Sequence, residues 1–317
     1  MKRLIGTLVL AAFSLTGLSV AQAQQQFVNV LTGGTSGVYF PLGTALSTIY
    51  NKGIPNAKAT VQSTKASAEN MNLLEAGRGE IAFALADAVS GAYMGDAEMG
   101  FPAPLKKLRS IAAIYPNYIQ IVANAESGIK TLADLKGKRV SVGAPKSGTE
   151  INARAIFKAA GLSYKDLSKV EFLPFGESVE LIKNRQLDAT LQSAGLGVSS
   201  IRDLATSVKI NVVAIPADIV GKVGDAAYQP GVIPANTYDG QTADVPTATI
   251  SNYLVTHTGV SNELAYAMTK QLFTNLDAMV AAHNAAKMIN VTKAPVGLSI
   301  PLHPGAEKYY KEVGALK

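Results

Sequence analysis

The sequence predicts an α/β protein of two lobes, and three observations predict it. Short apolar runs alternate with stretches of helical spacing, the grammar of βαβ units. The chain has 317 residues, more than a single core usually supports. Two stretches also rhyme: SAENMNLLEAGRGEIAFALAD (67–87) and SVELIKNRQLDATLQSAG (178–195) each read as helix, polar turn, acid and apolar strand.

The elements follow in order. Phe27–Leu31 reads as a strand ending in Gly33-Gly34, and Leu42, Ala45, Leu46 and Ile49 follow at helical spacing behind Pro41. A strand over Ala59–Gln62, a helix over Ala68–Glu75 stopped by Gly77, and a strand over Ile81–Leu85 ending at Asp87 complete the first unit. Tyr115–Ala123 is apolar enough for an extended crossover. The second unit has a strand over Arg139–Val142 broken at Gly143, and a helix over Thr149–Ala160 closed by Gly161. A strand over Val170–Leu173, a helix over Ser178–Asn184 and a strand over Ala189–Leu191 follow. Residues 211–245 are rich in Gly, Pro, Ala and Asp. Ile250–Val255 is then a strand, Glu263–Ala286 one long helix, and PLHPGAEKYYKEVG a final amphipathic helix. The expected lobes are 24–120, 121–249 and a return to the first lobe over 250–317.

Residues 1–23 read as a secretory leader. Lys2 and Arg3 precede an apolar stretch over Leu4–Val20, and Ala21-Gln22-Ala23 has the A-x-A pattern of a cleavage site. The chain has no cysteine, so neither a lipid anchor at the cleavage site nor a disulfide is available. A free periplasmic protein is the expectation. The formal net charge of +6 includes those two leader cations, and no Lys/Arg cluster or basic–aromatic stripe points to nucleic acid.

Candidate chemistry centres on TGGTSGVYFPLGTALSTIY (32–50). Gly33, Gly34 and Gly37 free the backbone for close ligand approach, Thr35 and Ser36 are candidate N-caps, and the helix behind presents unpaired N–H groups and a positive dipole end. That is an anion site without the lysine of a P-loop or the spacing of a dinucleotide fingerprint. Ser67, three residues before Asn70, and Ser147-Gly148-Thr149 repeat the logic at two further helix starts. Those starts follow strand ends, where open α/β sheets bind ligands. His257, His283 and His303 lack metal-ligand spacing, with His283 placed mid-helix. No nucleophile elbow or carboxylate pair calls for an enzyme; Asp87 and Glu150 are the acids an enzyme reading would use. Asp188 is expected to cap a turn, and Glu150–Arg154 to be a surface pair.

Four segments, LTGGTSGVYFPLG, KASAENMNLLEAGRGEIAFALAD, LADLKGKRVSVGAPKSGTEINARAIFKAAGL and PLHPGAEKYYKEVG, resemble in order the characteristic segments of the TAXI family, the extracytoplasmic solute-binding proteins of TRAP transporters. The resemblance implies a two-lobed type II periplasmic binding fold with mixed sheets and a ligand cleft between the lobes. It implies delivery of a small organic anion (glutamate, 2-oxoglutarate or a related carboxylate) to fused TRAP membrane subunits; a monomer without cofactor or catalysis is the accompanying expectation. Carried over, Gly34, Thr35, Ser36 and Tyr39 form the first-lobe anion loop, Ser67 and Asn70 add polar contacts, and Asp87 sits at the cleft floor. Ser147, Gly148 and Thr149 close from the second lobe. The chain departs from the family at TLQSAGLG (190–197): bulky aromatics are replaced, and Gln192 and Ser193 make that wall smaller and more polar. The other readings are a secreted enzyme on a similar fold and a binding protein for an ABC transporter or a sensor.

Overall fold

The structure is a computed structural model that describes residues 25–317; the leader read at 1–23 lies outside them. The first unit runs β1 (Gln26–Leu31), α1 (Tyr39–Gly53), β2 (Ala57–Gln62), α2 (Ser67–Glu75) and β3 (Ile81–Leu85), with β1 parallel to both other strands. After α3 (Ala86–Met94) and the long β4 (Leu108–Asn124), the pattern recurs. β5 (Arg139–Ser141), α4 (Gly148–Ala159), β6 (Lys169–Glu171), α5 (Phe175–Lys183) and β7 (Ala189–Ala194) place β5 parallel to β6 and β7. The strand orders β2-β1-β3 and β6-β5-β7 are the same topology written twice, which gives the sequence rhyme its structural meaning.

The chain continues through α6 (Ser199–Ser207), β8 (Ile210–Val213), α7 (Ala217–Lys222), β9 (Gln229–Ile233) and β10 (Val245–His257). It ends with α8 (Asn262–Thr274), α9 (Leu276–Ala282) and α10 (Pro304–Glu312). One sheet path, β2-β1-β3-β10-β4-β7-β5-β6, joins both units, with β8 added on β4 and β9 on β10. Among the described strands, β4 and β10 are the ones long enough to serve both lobes. The first part of β4 pairs with β10, and its second part, from Tyr118, pairs with β7. The β4–β10 register slips between Ser251 and Tyr253, opposite Pro116, which has no N–H to give the ladder. A strand pair with a missing donor and a bulge bends there more readily than a regular ladder.

Both faces of the sheet are covered, so its strands alternate between two cores. Ile81 and Phe83 of β3 join Leu42, Leu46 and Tyr50 of α1, with α8 and α10 on the same face. Ala82 and Ala84 face Met71 and Leu74 of α2 and Val89 of α3. All five residues of β3 are buried, the pattern of a central strand between helical layers.

Several expectations are corrected. The long helix over 263–286 breaks at Asn275 (φ −129°), whose side-chain amide donates to the Gln271 carbonyl and so competes with the helical ladder. His283 therefore sits between α9 and a 3₁₀ turn, not mid-helix. The Asp188 carboxylate caps no turn. It accepts from both Nε and Nη2 of Arg139 and from the Arg139 main-chain N–H, tying the start of β7 to β5.

Candidate anion-binding cleft

A cavity of about 800 Å³, its open mouth included, lies between the two lobes. The elements around it are the loops that follow the carboxyl ends of strands in both units. From the first lobe come Gly33, Gly34, Gly37, Val38 and Tyr39 at the start of α1, and Ser63 to Ser67 leading into α2. From the second come Ala144 and Ser147 to Thr149 at the start of α4, and Pro174 and Phe175 at the start of α5. Tyr115 and Asn117 of β4 and Ser193 and Ala194 of β7 complete the lining. Four helix N-termini thus face one space, and each contributes first-turn N–H groups without an intrahelical acceptor.

The local sequence explains each wall. Gly143 has φ +94°, and a Cβ there would lie 2.6 Å from the Thr149 methyl, so only glycine lets β5 turn tightly into α4. Ser147 is the N-cap of α4, its Oγ accepting the Glu150 N–H at 3.1 Å. Into α2 the chain passes through Ala66 at φ 71°, ψ −147°, a conformation costly for any residue with a Cβ. That turn is tied by the Thr64 hydroxyl, which accepts the Ala66 N–H at 2.9 Å, and by Glu69, which accepts the Lys65 N–H at 2.5 Å.

The lobes touch across the cleft. A Cβ on Gly148 would lie 2.5 Å from Ser67 Oγ and 2.7 Å from Leu85 Cδ1, so α4 abuts the first lobe through a residue without a side chain. The Glu69 N–H donates to the Lys146 carbonyl at 3.2 Å, and the Ser199 hydroxyl to the Ser36 carbonyl at 2.9 Å. Behind the cavity, Asp87 of α3 accepts from Asn152 of α4 at 2.7 Å and from the Tyr228 hydroxyl at 2.8 Å, all three buried. Burial pushes the Asp87 carboxyl up to about 6 against the pull of the Tyr228 hydroxyl and the Ala88 N–H, with the nearby charge of Asp225 raising it further.

Of the residues singled out in the sequence, Gly34, Tyr39, Ser67, Ser147, Gly148, Thr149 and Ser193 line the cavity. Thr35, Ser36, Asn70, Asp87 and Gln192 are not among the lining residues. The N-cap of α1 is Val38, so Thr35 and Ser36 lie in the preceding turn and cap nothing. Ser67 and Asn70 form no capping arrangement either. Ser67 Oγ accepts the Leu85 N–H at 3.2 Å, and the Asn70 amide donates to the carbonyls of Thr32 (2.7 Å) and Phe83 (2.9 Å), bracing β1 against β3. Gln192 and Ser193 sit on one strand, where successive side chains take opposite faces. Ser193 faces the cavity, and Gln192 is turned into the second lobe, accepting from Ser200 at 2.6 Å.

The sequence reading missed Lys65, Tyr115, Asn117 and Phe175. Lys65 is the one charged residue among the described lining residues and stands at the mouth. Tyr115 is buried with a hydroxyl that has no hydrogen-bond partner. Asn117 donates to Ser193 Oγ at 3.0 Å and accepts from Asn252, which also accepts the Tyr39 hydroxyl at 2.5 Å. Pro174 ahead of Phe175 was the available signal, since proline marks helix starts.

The remaining chemistry is structural. His257, His283 and His303 each accept an N–H two residues on through Nδ1, at 3.1, 3.1 and 3.2 Å. Nε2 of His257 and of His303 lies 3.0 Å from a carbonyl, the pattern of a neutral ring, and burial lowers all three pKa values. Glu150 is paired with Arg154 at 2.8 Å, as the spacing predicted, and lies outside the lining. Among the described residues no group of His, Cys, Asp and Glu could hold a metal ion, and no helix is long and apolar enough to cross a membrane.

Solved structures resemble this chain at low identity. PhnD1 from Prochlorococcus marinus, in complex with methylphosphonate, is 12% identical with a TM-score of 0.58, over 92% of this chain and 99% of that one. An ancestral arginine-binding protein bound to arginine is 14% identical with a TM-score of 0.50, over 83% and 98%. The alkanesulfonate-binding protein SsuA from Xanthomonas axonopodis pv. citri, bound to MOPS, is 16% identical with a TM-score of 0.49, over 93% and 81%. The likeness to PhnD1 establishes the two-lobed periplasmic binding fold of the second type. The family model described as NMT1-like matches residues 30–314, nearly the whole described chain, and the protein belongs to the NMT1-like family.

Proposed function

We propose that this protein is a periplasmic solute-binding protein that closes its lobes over a small organic carboxylate and hands it to a membrane transporter without altering it. The observation that carries the reading is the convergence of four helix N-termini, two from each lobe, on one cleft lined by Ser67, Ser147 and Thr149. Such an array holds an anion by N–H groups and dipole ends, with no arginine needed. The acids an enzyme would use are otherwise engaged: Asp87 by Asn152 and Tyr228, Glu150 by Arg154 and Tyr164. The A-x-A leader supports export to the periplasm, and the four TAXI-like segments support a TRAP membrane partner.

A thermal-shift screen of the purified protein against small carboxylates tests the ligand, because a ligand that binds only the folded state raises the Tm. Saturable binding with the ligand recovered unchanged supports the reading; turnover, or no response to any organic anion, refutes it. Proteoliposomes test the partner. Uptake through fused TRAP subunits driven by a sodium or proton gradient is expected, and uptake only through an ATP-driven permease would transfer the protein to the ABC class.

A further inference from the structure

Building on that binding reading, we infer that the cavity selects carboxylates that carry no ammonium group: oxo, hydroxy or unsubstituted acids over the matching amino acids. Among the described residues, no aspartate or glutamate lines the cavity, and its one charged side chain, Lys65, is a cation. The helix ends around it add four positive dipole ends and no negative one.

Six main-chain acceptors around the cavity are occupied as well. The Gly33 carbonyl takes the Ser63 hydroxyl at 2.9 Å, and Gly34 takes the Gly37 N–H at 3.0 Å. Ala144 takes the Ser147 N–H at 3.1 Å and Pro174 the Ser178 N–H at 3.0 Å. On the β4–β7 side, Tyr115 takes the Asn252 amide at 3.0 Å and Ala194 the Gln120 amide at 3.1 Å. An ammonium brings three donors and no acceptor, so in this space it trades its water for neutral hydroxyl oxygens and meets no carboxylate to balance its charge. The first-turn N–H groups other than those of Glu69 and Glu150 remain as donors, and the unpartnered Tyr115 hydroxyl can donate beside them. Asp87, the buried acid whose charge reaches Tyr39, is used up in joining α3 to Asn152 and Tyr228 behind the lining.

Calorimetry on the purified protein with matched pairs tests this: 2-oxoglutarate against glutamate, phenylpyruvate against phenylalanine, pyruvate against alanine. In every pair that binds, the oxo acid should bind at least roughly tenfold more tightly, the kind of ratio set by a charged group left unpaired in a closed site. An amino acid that binds as tightly as its oxo partner overturns the inference while leaving the binding reading standing. Failure of all six to bind, together with a silent thermal-shift screen, overturns the binding reading and this inference with it. Lys65→Gln separates rim charge from cavity lining. It should narrow the ratio in part, since it removes one cation that repels the ammonium, and leave the oxo acid preferred; a ratio that collapses in K65Q would assign the whole preference to Lys65 and overturn the argument from the lining.

Discussion

Replacing Gly148 by alanine should block closure while leaving each lobe intact. The new Cβ would lie 2.5 Å from Ser67 Oγ, 2.7 Å from Leu85 Cδ1 and 3.0 Å from Ser67 Cβ, all on the opposite lobe. Gly148 has no left-handed φ, so alanine suits the backbone, and it improves the first turn of α4. The penalty therefore falls on the closed arrangement alone. Overpacking of this kind costs about 1–3 kcal/mol. Charged entirely to closure, that weakens ligand affinity by about 5- to 150-fold. Calorimetry reads the affinity, and small-angle scattering reads whether saturating ligand still compacts the protein. The unliganded Tm should stay near wild type or rise. Affinity within about twofold of wild type with normal compaction would refute the claim that this contact marks the closed state.

Asp87 gives a pH prediction. Its carboxyl is pushed from 3.8 up to about 6, so the folded protein holds a proton that the unfolded chain releases. The stabilisation from that proton is full below 3.8 and is lost as pH rises through about 6; it amounts to at most about 3 kcal/mol. Asp87→Asn should remove this slope, so the Tm difference between variant and wild type should change between about pH 4 and 7, and a constant difference would contradict it. Asn70→Ala removes the side-chain donor shared by the buried Thr32 and Phe83 carbonyls, leaving Thr32 only the Thr64 hydroxyl, and should cost about 2–4 kcal/mol by urea denaturation; a loss under about 1 kcal/mol would refute the brace. Ala66→Gly relieves a positive φ of 71° and should stabilise by about 1 kcal/mol, whereas Ala66→Val should destabilise; the reverse order would contradict the strain.

The parts of this fold that were legible in the sequence are those where local pattern and tertiary role agree. β1, α1 and β3 announce themselves by period and punctuation, and the α2–β3 and α5–β7 rhyme reflects two units with one strand order. Misreadings arose where a polar residue had two uses. Asn70 and Ser67 have the composition of a cap, yet their side chains reach Thr32, Phe83 and Leu85, contacts that no spacing rule encodes. Asp87 ends a strand pattern, but its partners Asn152 and Tyr228 lie far along the chain. Starting α5 at Ser178 in place of Phe175 hid the fourth helix end and its aromatic ring. Tyr115 and Asn117 reach the cavity because β4 runs through both lobes, a property of topology and not of composition. The long helix failed at Asn275 because a side-chain amide, not a glycine or proline, ends the ladder there.

The most direct test of the account is the crystal structure of the protein with the tightest-binding acid from the screen. The account predicts the carboxylate between the lobes, within hydrogen-bond distance of first-turn N–H groups of α2 and α4, with Gly148 against Ser67 and the ligand chemically intact. A carboxylate bound outside this cleft, or held by a side-chain cation with the helix ends unused, would contradict it.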